Sequence, residues 1–167
     1  CINSDLANNY GNLCQRVTAF AEKNCSSLVP EIKEFNKEDL IMLNKFTKNL
    51  ETIRQEIDNQ NINFYISFIV SALFEANKYF NDQEPWKKKD DKDRLDTIVY
   101  CSFEMIRKIS VMLYPIIPDT IEKALKIFNL NINDINFKSI ASHNNLKAGS
   151  NINKIDILFK KIDKKND

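Results

Sequence analysis

The chain has 167 residues, 43% of them hydrophobic and 28% charged, with a formal charge of +1. That is enough for one domain with its own core, the composition is ordinary for a globular protein, and no overall basic field announces a nucleic-acid partner. Two glycines and four prolines are too few for the turns of a sheet-rich fold, so long helices with few connections are expected. The abundance of Asn, Ile and Lys reads as the codon bias of an A/T-rich genome.

The first helix is expected from about Ser4 to Asn24, with Asn3 and Ser4 as N-cap candidates and Leu6, Tyr10, Leu13, Val17 and Phe20 as its apolar stripe. Pro30 marks a break. A second helix is expected over Lys37–Asp58, capped by Asn36, with Leu43, Phe46, Leu50, Ile53 and Ile57 facing inward. The third, about Ile62–Asp82, has a wider stripe (Tyr65, Phe68, Ile69, Ala72, Leu73, Ala76, Phe80) and is expected to be the more buried one. The fourth is expected over Asp90–Leu113, with Asp90, Asp91 and Asp93 in its first turn, where they suit the positive end of the dipole. Tyr114–Pro118 is a stiff corner, and Pro118 opens a short fifth helix to about Phe128. From about Asn129 the periodicity dissolves into an Asn-rich tail with an apolar patch at Ile155–Phe159. The fold class is therefore all-α: an antiparallel bundle of four long helices plus a short fifth, with an irregular C-terminal tail. The domain reading is 1–128 as the bundle and 129–167 as a C-terminal extension, which is expected to be less ordered in isolation.

Cys1, Cys14, Cys25 and Cys101 form no C-x-x-C pair, so no metal site is expected, and reduced buried thiols in a cytoplasmic protein are the simplest account. No apolar run reaches the roughly 18–20 residues of a membrane span. The beginning, Cys1-Ile2-Asn3-Ser4-Asp5, reads as the cut edge of a longer chain. The single histidine, His143, lies in the tail, where a nucleophilic system would have to be built around a loop. No catalytic residue is assigned.

Two polar features stand out. Asp5, Asn9, Asn12 and Arg16 share one strip of the first helix. The amide of Asn12 and the guanidinium of Arg16, four residues apart, could read a base edge. Spacing alone favours a hydrated helix face. In Glu84-Pro85-Trp86-Lys87-Lys88-Lys89, the only tryptophan is followed by three lysines. An aromatic plate beside phosphate-attracting cations is a single-strand nucleic-acid pattern. A tryptophan plugging the end of the bundle, with lysines in solvent, fits the residues equally well.

Four segments carry a resemblance: 3–16 (NSDLANNYGNLCQR), 76–86 (ANKYFNDQEPW), 113–120 (LYPIIPDT) and Leu146-Lys147-Ala148-Gly149 running on to Asp163. Together they cover nearly the whole chain in order and resemble the anticodon-binding domain of the methionyl-tRNA synthetase family. The resemblance implies that Trp86 stacks on the first base of a CAU anticodon. It further implies that Asn12 and Arg16 hydrogen-bond to that cytosine, that Pro85 fixes the approach of the tryptophan, and that the tail returns toward a catalytic domain of the same polypeptide. Lys87, Lys88 and Lys89 would meet phosphate. The family joins methionine to its tRNA with ATP and magnesium in a nucleotide-binding domain, in some members with zinc. The His-Ile-Gly-His and Lys-Met-Ser-Lys-Ser signatures of that domain are not in this sequence, so no cofactor is expected to bind here. Two positions depart from the family pattern. Asn81 stands where an acidic residue is common, and Ala148 where proline is, a change expected to loosen the tail. The alternatives are the matching domain of another class I synthetase, or a helical interaction module with no RNA role.

Overall fold

The computed structural model describes residues 2–143 and 145–153. Four long helices, α1 (Ile2–Asn24), α2 (Lys37–Asp58), α3 (Ile62–Gln83) and α4 (Lys92–Leu113), are followed by the short α5 (Pro118–Leu125), which tightens into a 3-10 turn over Lys126–Phe128. Cross-contacts fix the directions. Lys45 meets Glu75 and Gln83 meets Glu38, so α2 and α3 are antiparallel. Tyr65 reaches Met112 and Arg94 reaches Gln83, so α3 and α4 are antiparallel. Tyr10 bonds Ser110 and Cys25 meets Asp96, so α1 runs against α4. One pole of the bundle therefore gathers the C-termini of α1 and α3 and the N-termini of α2 and α4.

Helix ends depart from expectation where capping chemistry decides. Asn3 and Ser4 lie inside α1, not at its cap. Asn36 does cap α2: its side chain accepts from the Asp39 N–H while Asp39 accepts from the Asn36 N–H. α4 starts at Lys92 because the Asp91 side chain accepts the Arg94 N–H, so Asp90 and Asp91 precede its first turn. The third helix is not the most buried. α4 is: Leu95 and every residue from Thr97 to Leu113 are buried, because α1, α2, α3, α5 and the tail all pack on it. Ile57, expected in the α2 stripe, is 44% exposed where that helix runs past the core.

The tail differs most. Residues 129–153 form two 3-10 turns, Ile132–Asp134 and Phe137–Ala141, and are packed on the bundle. Three polar residues of α4 hold them. Glu104 accepts from Arg107 Nε at 2.7 Å and from the Leu146 N–H at 2.9 Å. Arg107 donates to the carbonyls of Ser139 and Ser142 at 3.1 and 2.9 Å. Lys108 donates to the carbonyls of Ile140 and Ser142 at 2.5 and 2.8 Å and to His143 Nδ1 at 2.9 Å, which satisfies its three N–H groups. Since the ammonium only donates, His143 Nδ1 accepts, and Nε2 carries the proton toward Asn44 Oδ1 at 2.9 Å. Burial, with Arg107 beside it, lowers the Lys108 pKa to about 8. Burial and then Lys108 lower that of His143. His143 is thus a neutral structural link. Further on, Leu28 and Asn151 form an antiparallel bridge, and Gly149, at φ +83°, turns the chain so that its N–H meets the Val29 carbonyl at 2.8 Å. These bonds join the segment around Ala148 to the loop after α1. The Ile155–Phe159 patch and Cys1 lie outside the described residues. Cys14, Cys25 and Cys101 are free and buried, with Cys25 in the turn just beyond α1.

At the pole, Asp39 is fully buried and takes both arms of Arg94 at 2.8 Å each. Tyr79 also donates to it. Burial alone would raise the carboxyl pKa, but bonds from Arg94, Tyr79 and the Asn36 N–H outweigh it and hold Asp39 below the usual carboxylate range. The stabilisation is complete above the unfolded pKa, about 4, and is lost as pH falls through the lower folded value. Arg94→Leu strands the carboxylate, and the expected loss is about 3–5 kcal/mol at pH 7. In that variant burial raises the Asp39 pKa instead, so urea denaturation should show a smaller deficit at pH 4.5 than at pH 7. An equal deficit at both would mean that the charge of Asp39 is not what Arg94 balances.

Candidate nucleic-acid interface

The edge where α1 meets α3 leads up to this pole. Arg16 crosses from α1 and donates to Asn77 Oδ1 at 3.2 Å and Asn81 Oδ1 at 2.5 Å. Asn77 turns its own amide nitrogen to the Leu73 carbonyl at 3.1 Å, which leaves its oxygen for the guanidinium. The guanidinium lies 5.3 Å from the centroid of Phe80, a cation–π distance. Phe80 in turn meets Phe20 at 5.8 Å and Trp86 at 6.0 Å, both edge-on. Arg16 is thus fixed by two neutral amides and an aromatic face. None of these carries a negative charge, so the exposed guanidinium keeps its full charge toward solvent.

Trp86 is placed by the end of α3. Glu84 takes a left-handed conformation, φ 47°, and ends the helix. Pro85 then opens a single 3-10 turn, Pro85–Lys87. Pro85 is buried, whereas Trp86 is 41% exposed, so the proline fills the bundle end and the indole stands partly in solvent. Lys88 donates to the Gln83 carbonyl and so satisfies one of the last carbonyls of α3. Gln83 is gripped by Arg94 at 2.7 Å. The buried Asp39–Arg94 pair therefore reaches the tryptophan turn through Gln83.

The structure brings Arg16 and Trp86 together through Phe80. Asn12 is exposed on the same strip, one turn before Arg16. The three lysines divide. Lys87 pairs with Glu84 at 2.8 Å, Lys88 is occupied by the Gln83 carbonyl, and Lys89 is exposed. Asn77 was not singled out from the sequence, Phe80 was read only as a core residue of the third helix, and Asn81 only as a departure from the family pattern. Their signal is the spacing of 77, 80 and 81 on one face of a helix, legible only once Arg16 is known to lie opposite. Among the described residues no group of three His, Cys, Asp or Glu could hold a metal ion, and no helix is long and apolar enough to cross a membrane.

The helical bundle is of the helical anticodon-binding class of domain carried by aminoacyl-tRNA synthetases. The family model for the anticodon binding domain of methionyl tRNA ligase matches residues 29–167. The chain belongs to that family. The methionine–tRNA ligase of Brucella suis biovar 1 is 39% identical over 126 residues, 75% of this chain and 24% of that protein. That of Rickettsia conorii is 34% identical over 166 residues, 97% of this chain and 33% of that protein. The apo structure of Mycobacterium tuberculosis methionyl-tRNA synthetase superposes with a TM-score of 0.82 at 30% identity, over 92% of this chain and 32% of that one. The chain thus spans about a quarter to a third of the length of these relatives.

The sequence contains one tryptophan, so its fluorescence reports the site alone. With the indole 41% exposed, acrylamide should quench the emission efficiently in the folded protein. A blue-shifted emission that resists quenching would place Trp86 in the core instead.

Proposed function

We propose that this domain recognises the CAU anticodon of tRNA as part of a methionine–tRNA ligase, with the chemistry of aminoacylation performed elsewhere in the polypeptide. The observation that carries the reading is the Arg16–Phe80–Trp86 chain. It sets an unneutralised guanidinium and a partly exposed indole on one edge, held by α1, α3 and the turn after α3. Bases unstacked from an RNA loop are bound in this way, by stacking on aromatic faces and by donors to their edges. A cytosine offers an O2 and an N3 acceptor to Arg16, and the Asn12 amide supplies both a donor and an acceptor. Trp86 supplies the stacking face and Pro85 its anchor. Lys89 is the lysine best placed for phosphate, since Lys87 and Lys88 already have protein partners. ATP, magnesium and any zinc would bind in a catalytic domain of the same polypeptide, toward which the 129–167 extension would return. Family membership supports methionine over the other class I amino acids. The partial exposure of Trp86 supports an RNA platform over a structural plug.

Trp86→Ala should cost about 1–3 kcal/mol of tRNA binding, the usual worth of base–aromatic stacking, or roughly 5- to 150-fold. Trp86→Phe should recover part of it. Arg16→Ala should penalise the cytosine-bearing tRNA more than one with that base changed, because base-edge contacts carry specificity and phosphate contacts do not. Lys89→Gln should weaken all tRNAs alike and flatten the salt dependence. Unchanged affinity and discrimination in Trp86→Ala, together with a lowered melting temperature, would make the tryptophan structural.

Pyrophosphate exchange dependent on methionine and ATP should stay at background for the purified 167-residue chain. Turnover above background would place catalytic groups within it.

A further inference from the structure

Asn77 and Asn81 both turn an oxygen to Arg16, but their nitrogens differ. The Asn77 Nδ2 is taken by the Leu73 carbonyl at 3.1 Å. Asn81 is exposed in the last turn of α3, and among the described residues nothing takes its Nδ2. The Asn81 amide cannot reverse. A guanidinium only donates, so the Asn81 oxygen must face Arg16 Nη2, at 2.5 Å, and the NH2 group must point away from it. The helix end fixes its position, because the Glu84 N–H bonds the Asn81 carbonyl at 3.3 Å. Asn81 therefore adjoins the guanidinium directly. Its chain neighbour Phe80 meets Arg16 at 5.3 Å and the indole of Trp86 at 6.0 Å. Two of the five N–H groups of Arg16 are used by the two amides. The others, with the two N–H groups of Asn81, set donors from two side chains next to each other at the stacking ring.

Adjacent donors call for adjacent acceptors. The pairing edge of cytosine carries two, O2 and N3. In uracil and guanine the ring nitrogen beside the carbonyl on that edge bears a hydrogen. Adenine places an amino group beside its ring nitrogen. Each of these bases would set a donor against a donor or leave one unpaired, which costs binding energy. Resting on the anticodon reading above, we propose that Asn81 is a specificity-determining residue, whose Nδ2 and an Arg16 N–H form a two-donor fork on O2 and N3 of the first anticodon base. Trp86 sets the plane of the base, and the fork reads its edge. Asn77 differs in role, since its nitrogen is spent and it only positions Arg16. A carboxylate at position 81 would hold Arg16 at least as strongly, but it could offer no donor.

The test compares binding of the intact protein to stem–loop RNAs with CAU and UAU anticodons. Asn81→Asp is the informative variant, because it keeps the shape and the acceptor for Arg16 and removes only the donors. The preference for CAU over UAU should fall about 2- to 12-fold, the worth of one neutral hydrogen bond. Asn81→Ala should lose at least as much. Asn81 is exposed, so both variants should fold, and a ratio of affinities is unaffected by a fraction of unfolded protein. If Asn81→Asp weakens both RNAs alike, the added charge is acting on phosphate, and the inference is wrong. If the preference survives in Asn81→Asp and is lost in Asn81→Ala, Asn81 is only a support for Arg16, and the inference is again wrong. If Arg16→Ala abolishes the preference while both Asn81 variants keep it, this inference fails and the anticodon reading stands. A parent protein with no preference for CAU would defeat both.

Discussion

The pole that carries Arg94, Gln83 and the Trp86 turn is organised by the buried pair between Asp39 and Arg94. A carboxylate with no exposed surface is tolerated only because its charge is matched at both oxygens. The match needs groups from three helices at once: Asp39 from α2, Tyr79 and Gln83 from α3, and Arg94 from α4. These helices cannot slide past one another without stranding the charge, so the pair fixes their register. It also fixes Gln83, the last residue of α3, whose carbonyl is taken by Lys88 across the Pro85–Trp86 turn. A chain of hydrogen bonds through Arg94, Gln83 and Lys88 thus links the buried carboxylate to the turn that carries Trp86.

The other face of α4 works by the same physics with a different outcome. A helix buried on nearly all sides has nowhere to put Glu104, Arg107 and Lys108 unless something polar comes to meet them. The tail does so with its backbone. The carbonyls of Ser139, Ile140 and Ser142 and the N–H of Leu146 are groups that would otherwise need water. Each side satisfies the other, so a segment with no helical periodicity is fixed to the bundle by its backbone. His143 belongs to this arrangement, bonded to Lys108 on one side and Asn44 on the other. Its partners give the single histidine a structural place between α4 and α2.

Along the α1–α3 edge the chemistry is deliberately neutral. An acidic partner for Arg16 would bind it more strongly but would offset its positive charge. With Asn81 in that place, the guanidinium is oriented by an amide at 2.5 Å and still presents a positive charge outward. The departure at position 81 therefore changes how Arg16 is held, not whether it is held.

The sequence by itself determined the helices. The stripes of α1 through α4 are periodic enough to locate them within about two residues, because one buried face per helix forces the 3.6-residue repeat. Asn36 and Pro118 mark helix starts because a cap and a fixed φ act through neighbouring atoms only. Segments 3–16 and 76–86 also carried the family resemblance in residue identity alone. What only the tertiary structure decided was every interaction between residues far apart in the chain. That α4 and not α3 is the central helix depends on five elements closing round it. That residues 129–153 are packed depends on polar groups of α4 that look solvent-facing in a linear reading. That Arg16 belongs with Asn77, Asn81 and Phe80 depends on α1 and α3 lying side by side across 61 and 65 positions of sequence. Local patterns record which face of a helix avoids water. They do not record which other helix covers that face, because burial is non-directional and the partner is chosen only when all the faces must be satisfied together.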